Sequence, residues 1–260
     1  MRTSGQRQGL LDSTSSPDLS SLGAEPDGVL KVWCGTWNMH AALPPPSGLD
    51  AWMPFGEHDI YAVATQEAER PIATAVLLPA KPAWESALSS CFRLHSRWRR
   101  SEEEEAVDTP SDDTPSDDTP SDESEPEYAL LCTAAMGGCH LAVFVRRRLL
   151  PHVSHIRRGG VPLGGPCGGM TNKGGLAVSL QLGRTSVLFV CAHLAAHAGR
   201  LQARDTQFGD IDRRLPAALG LPSAAAAVPA SEAFDAVLWM GDLNYRVEME
   251  PAEARLLLAS

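Results

Sequence analysis

Seven short apolar runs punctuate this chain: VLKVWCGTW (29–37), DIYAVAT (59–65), YALLCTAA (128–135), HLAVFVR (140–146), GLAVSLQL (175–182), TSVLFVCA (185–192) and FDAVLWM (234–240). Their composition is that of strands. Several are apolar at nearly every position, which predicts strands covered on both faces. AWESALSS (83–90), HAGRLQARDTQFGDIDRRL (197–215) and PAEARLLLA (251–259) suit helices, and Pro251 fits a first helical position. Strands on both sides of helices predict an α/β or α+β layered domain.

The remaining stretches read as tails and loops. Residues 1–28 are rich in Ser, Pro, Gly and Asp and are expected to be disordered. Residues 101–127 carry the repeat DTPSD-DTPSD-DTPSD, which has no apolar face to bury and reads as a disordered, solvated insertion. Residues 216–231 read as a loop with one short helical turn. The net charge of −10 is misleading, because residues 102–127 hold 13 acidic residues and no Lys or Arg. Elsewhere 22 basic residues face 19 acidic ones, so the folded part is mildly basic.

Cys34, Cys91, Cys132, Cys139, Cys167 and Cys191 form no CxxC pair, which predicts free thiols in a reducing compartment. No run reaches the ~18 apolar residues of a membrane span, and the N-terminus lacks the apolar core of a signal peptide. The expectation is a cytoplasmic protein. The arginine clusters (Arg97, Arg99, Arg100; Arg146–Arg148; Arg157, Arg158) suit a solvated face or a peripheral approach to anionic lipid.

Four of the apolar runs end in chemistry. VWCGTW ends in Asn38, IYAVAT in Gln66 and Glu67, VLFVCA in His193, and VLWM in Gly241, Asp242, Leu243 and Asn244. Functional groups gather at strand ends in layered α/β proteins. Glu67 and the amide oxygen of Asn38 are hard donors suited to Mg²⁺, which binds with few protein ligands. Asp242 can orient or deprotonate a water, while His193 and Asn244 can hold charge building on a phosphoryl oxygen. These are the parts of metal-assisted phosphate-ester hydrolysis. His193 and His197 have zinc-helix spacing but no intervening Glu and no third ligand. GGPCGGMTNKGG is Gly-rich but fails the P-loop pattern, since Met170 stands where Lys is required.

TWNM (36–39), DIYAVATQE (59–67), GGMTNKGG (168–175), HLAAH (193–197) and WMGDLNYR (239–246) resemble, in order and spacing, the successive motifs of the inositol polyphosphate 5-phosphatases. The resemblance runs from about residue 29 to about 259, and its GDLNYR and HLAAH blocks are the most specific. It implies a DNase I-like four-layer sandwich of two mixed β-sheets flanked by helices. It also implies Mg²⁺-dependent removal of the 5-phosphate from phosphoinositides or soluble inositol phosphates. On that resemblance Glu67 is the main Mg²⁺ ligand with Asn38 beside it. Asp242 activates the attacking water, Asn244 orients Asp242 or binds phosphate, and His193 contacts the scissile phosphate. Asn172 and Lys173 line the substrate pocket, and Arg246 contacts phosphate or forms a structural ion pair.

Two departures stand out. Where the family carries an Arg-Asn pair, this chain has Arg204-Asp205, which puts a local contact in doubt. The family's Pro-Ala-Trp-Cys-Asp-Arg-like block and its Ser-Asp-His block do not occur in these 260 residues. The expectation is therefore a partial domain over 29–260, incomplete at its C-terminus and with little activity. A nuclease of the same superfamily and a non-catalytic phosphoinositide-binding scaffold are the alternatives; HLAAH and NKGG favour the phosphatase, and no nucleic-acid partner is expected.

Overall fold

The computed structural model describes residues 29–42, 49, 51–67, 81–107, 125–164, 173–247 and 249–259. The expected tail, residues 1–28, lies outside them. Eight strands form two sheets. The first holds β1 (Val32–Asn38), β2 (Ile60–Gln66), β3 (Tyr128–Met136) and β4 (Cys139–Arg146) in the order β1-β2-β4-β3. The second holds β5 (Val153–Pro162), β6 (Gly174–Leu182), β7 (Thr185–His193) and β8 (Ala236–Asp242) in sequence order. Each sheet is mixed in the same way, with two antiparallel pairings and one parallel pairing: β1 with β2, and β7 with β8.

Why the strands are apolar throughout is visible in how they alternate. Ile60, Ala62 and Ala64 of β2 face the other sheet and pack in one cluster with Leu176, Val178, Leu180, Phe189 and Cys191. The intervening Tyr61 and Val63 face outward, where they bury Trp84, Leu88 and Phe92 of α1 (Lys81–Val107). On the other side Leu188, Val190 and Ala192 of β7 meet Ile211 and Leu215 of α2 (Leu201–Ala218). The layers are thus helix, sheet, sheet, helix, and each buried large side chain contributes about 1.5–3 kcal/mol. A third helix, α3 (Pro251–Ala259), follows β8 as the sequence predicts.

Three expectations change. The helix expected over 83–90 is much longer: α1 continues through residues 101–107, the start of the stretch read as disordered insertion. The DTPSD repeats at 108–124 lie outside the described residues. Within 216–231, α2 runs on to Ala218, and single helical turns form at Ser223–Ala226 and Ala230–Ala233. Strand β5 has no counterpart among the seven apolar runs. Its centre reads Arg157, Arg158, Gly159, Gly160, and it forms the sheet's edge, where only one side needs a hydrogen-bonded neighbour. Both glycines serve packing. A Cβ at Gly159 would sit 2.4 Å from the carbonyl oxygen of Ala218, so the end of α2 rests directly on this strand.

Candidate active site

The two parallel pairings end at one place. Asn38 is the register partner of Gln66, which precedes Glu67, and His193 is the partner of Asp242. Neighbours in register on parallel strands project to the same side, so each pairing delivers two polar groups together. Across the sheets the groups meet: Asn38 Nδ2 donates to Asp242 Oδ2 at 3.0 Å. His193 Nε2 lies 3.4 Å from Asp242 Oδ2 and 3.7 Å from Glu67 Oε1. Asn38, Glu67, His193 and Asp242, remote in sequence, thus form one cluster.

The backbone at these ends is held in uncommon conformations. Glu67 and Asn244 have φ of 54° and 55°, in the left-handed region that non-glycine residues rarely occupy. The carbonyls of Gln66 and Glu67 accept from Met39 and Ala41 N–H, both at 2.7 Å, which clamps the turn presenting Glu67. Gly241 has φ of 119°, and a Cβ there would lie 2.0 Å from the Ala192 carbonyl oxygen. Only glycine lets β8 approach β7 so closely one residue before Asp242.

Lys173, at the start of β6, places Nζ 2.5 Å from His193 Nε2. Burial lowers the Lys173 pKa, opposed by the charges of Asp242 and Glu67. Burial also lowers the His193 pKa, and the Lys173 ammonium adds to that effect against the two carboxylates. His193 is therefore a neutral imidazole whose Nε2 accepts from Lys173. Its side chain is 1% exposed, whereas those of Glu67 and Asp242 are 27% and 29% exposed. The carboxylates line the open side of the site, and the histidine forms its floor.

Asn244 orients Asp242 through its backbone: its N–H donates to Asp242 Oδ1 at 3.2 Å. Its side chain is engaged elsewhere, with Nδ2 on the Leu194 carbonyl at 3.2 Å and Oδ1 accepting from Arg246 Nη2 at 3.1 Å. Arg246 thus bonds a neighbouring amide rather than a carboxylate. Asn172 lies outside the described residues. His197, at the N-cap of the 3₁₀ turn Ala198–Arg200, is an exposed turn-start residue.

Two contributors were not singled out in the sequence. Gln66 is 1% exposed and bridges the sheets, accepting from Thr36 Oγ1 at 3.2 Å and donating to Cys191 Sγ at 3.3 Å. Its only sequence signal is an amide at the end of a wholly apolar run. Arg204, also 1% exposed, bonds the carbonyls of the loop after His193. The departure at Asp205 is accommodated: its Oδ1 accepts from Tyr245 OH at 2.7 Å, so a contact to the GDLNYR loop exists with a carboxylate in place of an amide.

A family model spans this whole arrangement: that of Endonuclease/Exonuclease/phosphatase family 2 matches residues 35–259, from β1 through α3. The chain belongs to this family. Among curated relatives, the type I inositol polyphosphate 5-phosphatase 5 of Arabidopsis thaliana is 38% identical over 135 residues, which is 50% of this chain and 25% of that protein. The chain therefore spans a quarter of that relative's length. The solved inositol polyphosphate 5-phosphatase domain of SPSynaptojanin, in complex with inositol (1,4)-bisphosphate and calcium ion, superposes with a TM-score of 0.59 at 22% identity. That match covers 88% of this chain and 57% of the solved one, and it shows the fold expected from the sequence. Cimex nitrophorin, solved as a ferrous NO complex, shares the fold at a TM-score of 0.50 and 17% identity over 88% of this chain and 65% of its own. The fold alone does not choose the chemistry; the site residues carry that argument.

Proposed function

We propose that this site hydrolyses the 5-phosphate of phosphatidylinositol phosphates or inositol polyphosphates with the help of Mg²⁺. The carrying observation is the convergence of Asn38, Glu67, His193 and Asp242 within direct contact distances. The curated relatives named as inositol polyphosphate 5-phosphatases support the substrate class.

The donor set fits a hard dication. Glu67 offers a half-exposed carboxylate, and Asn38 Oδ1 retains a lone pair beyond the one that accepts from His40 N–H. Mg²⁺ keeps several waters and takes few protein ligands, so Glu67 and Asn38 are a sufficient anchor. When bound, the ion supplies Lewis-acid polarisation of the phosphoryl group. The chain's own residues do the rest. Asp242, pinned at Oδ1 by Asn244 N–H and at Oδ2 by Asn38, presents a fixed carboxylate that orients a water and takes its proton. Lys173 has two N–H donors beyond the one directed at His193, and these face the developing charge on the phosphoryl oxygens. His193, neutral and buried, holds the ammonium in place at the floor of the pocket. Arg246 is exposed at the rim, where it steadies Asn244.

No described helix is long and apolar enough to cross a membrane; a lipid substrate would be met by peripheral approach. The test incubates the full chain with a 5-phosphorylated inositol lipid in vesicles and, separately, with a soluble inositol trisphosphate. Phosphate release is measured with Mg²⁺ and with EDTA. Release that requires Mg²⁺ and is abolished in Asp242→Ala and Glu67→Ala is expected. Unchanged turnover in either variant removes the assigned roles, and vesicle binding without turnover selects a non-catalytic phosphoinositide-binding role.

A further inference from the structure

Arg204 is a cation in the protein interior, placed on α2 at 1% exposure. Its Nη1 donates to the carbonyls of Ala195 at 3.2 Å and His197 at 2.8 Å, and its Nη2 reaches that of Ala198 at 3.5 Å. Those carbonyls belong to the irregular segment that follows His193, where no strand or helix supplies donors. The guanidinium also lies over the Tyr245 ring, 5.4 Å from its centroid, and the hydroxyl of Tyr245 donates to the adjacent Asp205. One turn of α2 therefore grips both loops that carry the site: the one after β7 through Arg204, and the one after β8 through Arg204 and Asp205.

These two loops are tied to each other and to Asp242. The Leu194 carbonyl accepts from Asn244 Nδ2, and Asn244 N–H donates to Asp242 Oδ1. Asn244 holds a left-handed φ of 55°, a conformation that persists only when its surroundings over-determine it. Arg204 sits behind both supports, with Ala195 next to Leu194 on one side and Tyr245 next to Asn244 on the other. Stability alone is a poor account of the residue, because its Nε is buried without a hydrogen-bond partner, a costly feature for a charged group.

We propose that Arg204 is a positioning residue that fixes the Asn244–Asp242 pair by clamping the loops after β7 and β8 together. It does not touch substrate. The planar fork serves several carbonyls and stacks on the tyrosine at once, which a lysine cannot reproduce. The catalytic meaning of this clamp rests on the hydrolase reading above.

The test uses the full chain and two measurements. In Mg²⁺-dependent phosphate release, Arg204→Lys is expected to lower kcat about 10–100-fold while KM changes by less than about threefold. In an Asn244→Ala background the same substitution should lower kcat by less than about threefold, because the group it acts through is already gone. Equal losses in both backgrounds would overturn the proposal. Backbone hydrogen exchange needs no activity. In Arg204→Lys the Asn244 amide should exchange at least about tenfold faster, with amides of central strand β6 unchanged. Uniform acceleration, or none at Asn244, would overturn it. If Arg204→Lys fails to fold, Tyr245→Leu, which removes the stacked ring and its hydroxyl, must show the same selective acceleration at Asn244. Wild-type chain that releases no phosphate would defeat the hydrolase reading, and the exchange measurement would then decide the clamp by itself.

Discussion

His193 and Asp242 are the last register partners of the parallel pair β7 and β8, and their side chains meet there, with Nε2 3.4 Å from Oδ2. The contact follows from strand register: two parallel strands that stop together set their final side chains side by side. Asn38 and Gln66 repeat the arrangement in the other sheet. The site is therefore the common terminus of two parallel pairs, and the antiparallel strands brace it from behind.

Asp242→Asn tests the carboxylate separately from the geometry. The amide keeps an oxygen for Asn244 N–H to bond, but it cannot take a proton from water. Loss of a positioned general base costs about 10²–10⁴-fold in kcat, and the expected result lies in that range with an unchanged circular dichroism spectrum. A loss below tenfold in Mg²⁺-dependent phosphate release would move the base role to another group.

Gly241→Ala tests the approach of the two strands. The new methyl would need to share space with the Ala192 carbonyl oxygen, 2.0 Å away, at a φ of 119°. The clash is with backbone, which no rotamer change relieves, so a destabilisation of at least about 2 kcal/mol is expected. Urea denaturation gives the number, and a cost below about 0.5 kcal/mol would show that β8 moves away from β7 without penalty.

Much of this architecture was legible because burial writes itself into residue type. Runs such as IYAVAT and VLFVCA are apolar at every position since one face meets the opposite sheet and the other a helix. Glu67, His193 and Asp242 stood out because a polar group directly after such a run is forced to the strand end. Strand β5 was illegible for the complementary reason. It is an edge, and its Arg157, Arg158 and glycines answer to solvent and to the end of α2. The acidic residues at 102–105 hid the continuation of α1, because solvated helix and solvated coil share a composition. The Lys173–His193 contact and the buried clamp of Arg204 join loops distant in sequence, and local pattern holds no record of such pairings.

Gly159→Ala probes the strand that the pattern concealed. A Cβ at this position lies 2.4 Å from the Ala218 carbonyl oxygen, so the end of α2 must lift off the sheet. Overpacking of this kind costs about 1–3 kcal/mol, which for a domain of this size lowers Tm by about 2–4 °C per kcal/mol. Calorimetry should show the drop, and a rise in Tm would mean that α2 and β5 are not in contact in solution.

Asp235 offers a pH dependence remote from the site. Its Oδ2 accepts from Ser186 N–H at 2.8 Å and from Ser186 Oγ at 2.7 Å, tying the start of β8 to the start of β7. The backbone bond, and then the side-chain bond, hold its pKa below the ordinary value of 3.8, with burial opposing weakly. The folded state thus binds this proton less readily than the unfolded chain. The sign follows: the stabilisation is complete above about pH 3.8 and is lost as pH falls through the lower, folded-state value. Asp235→Asn retains an acceptor oxygen but no charge, so it should unfold at lower urea than wild type at about pH 7, and the gap between the two should close as pH drops below the unfolded carboxyl value. A gap of constant size across that window would mean that Ser186 is held equally well by an uncharged acceptor, and that the ionised carboxylate contributes nothing to joining these strands.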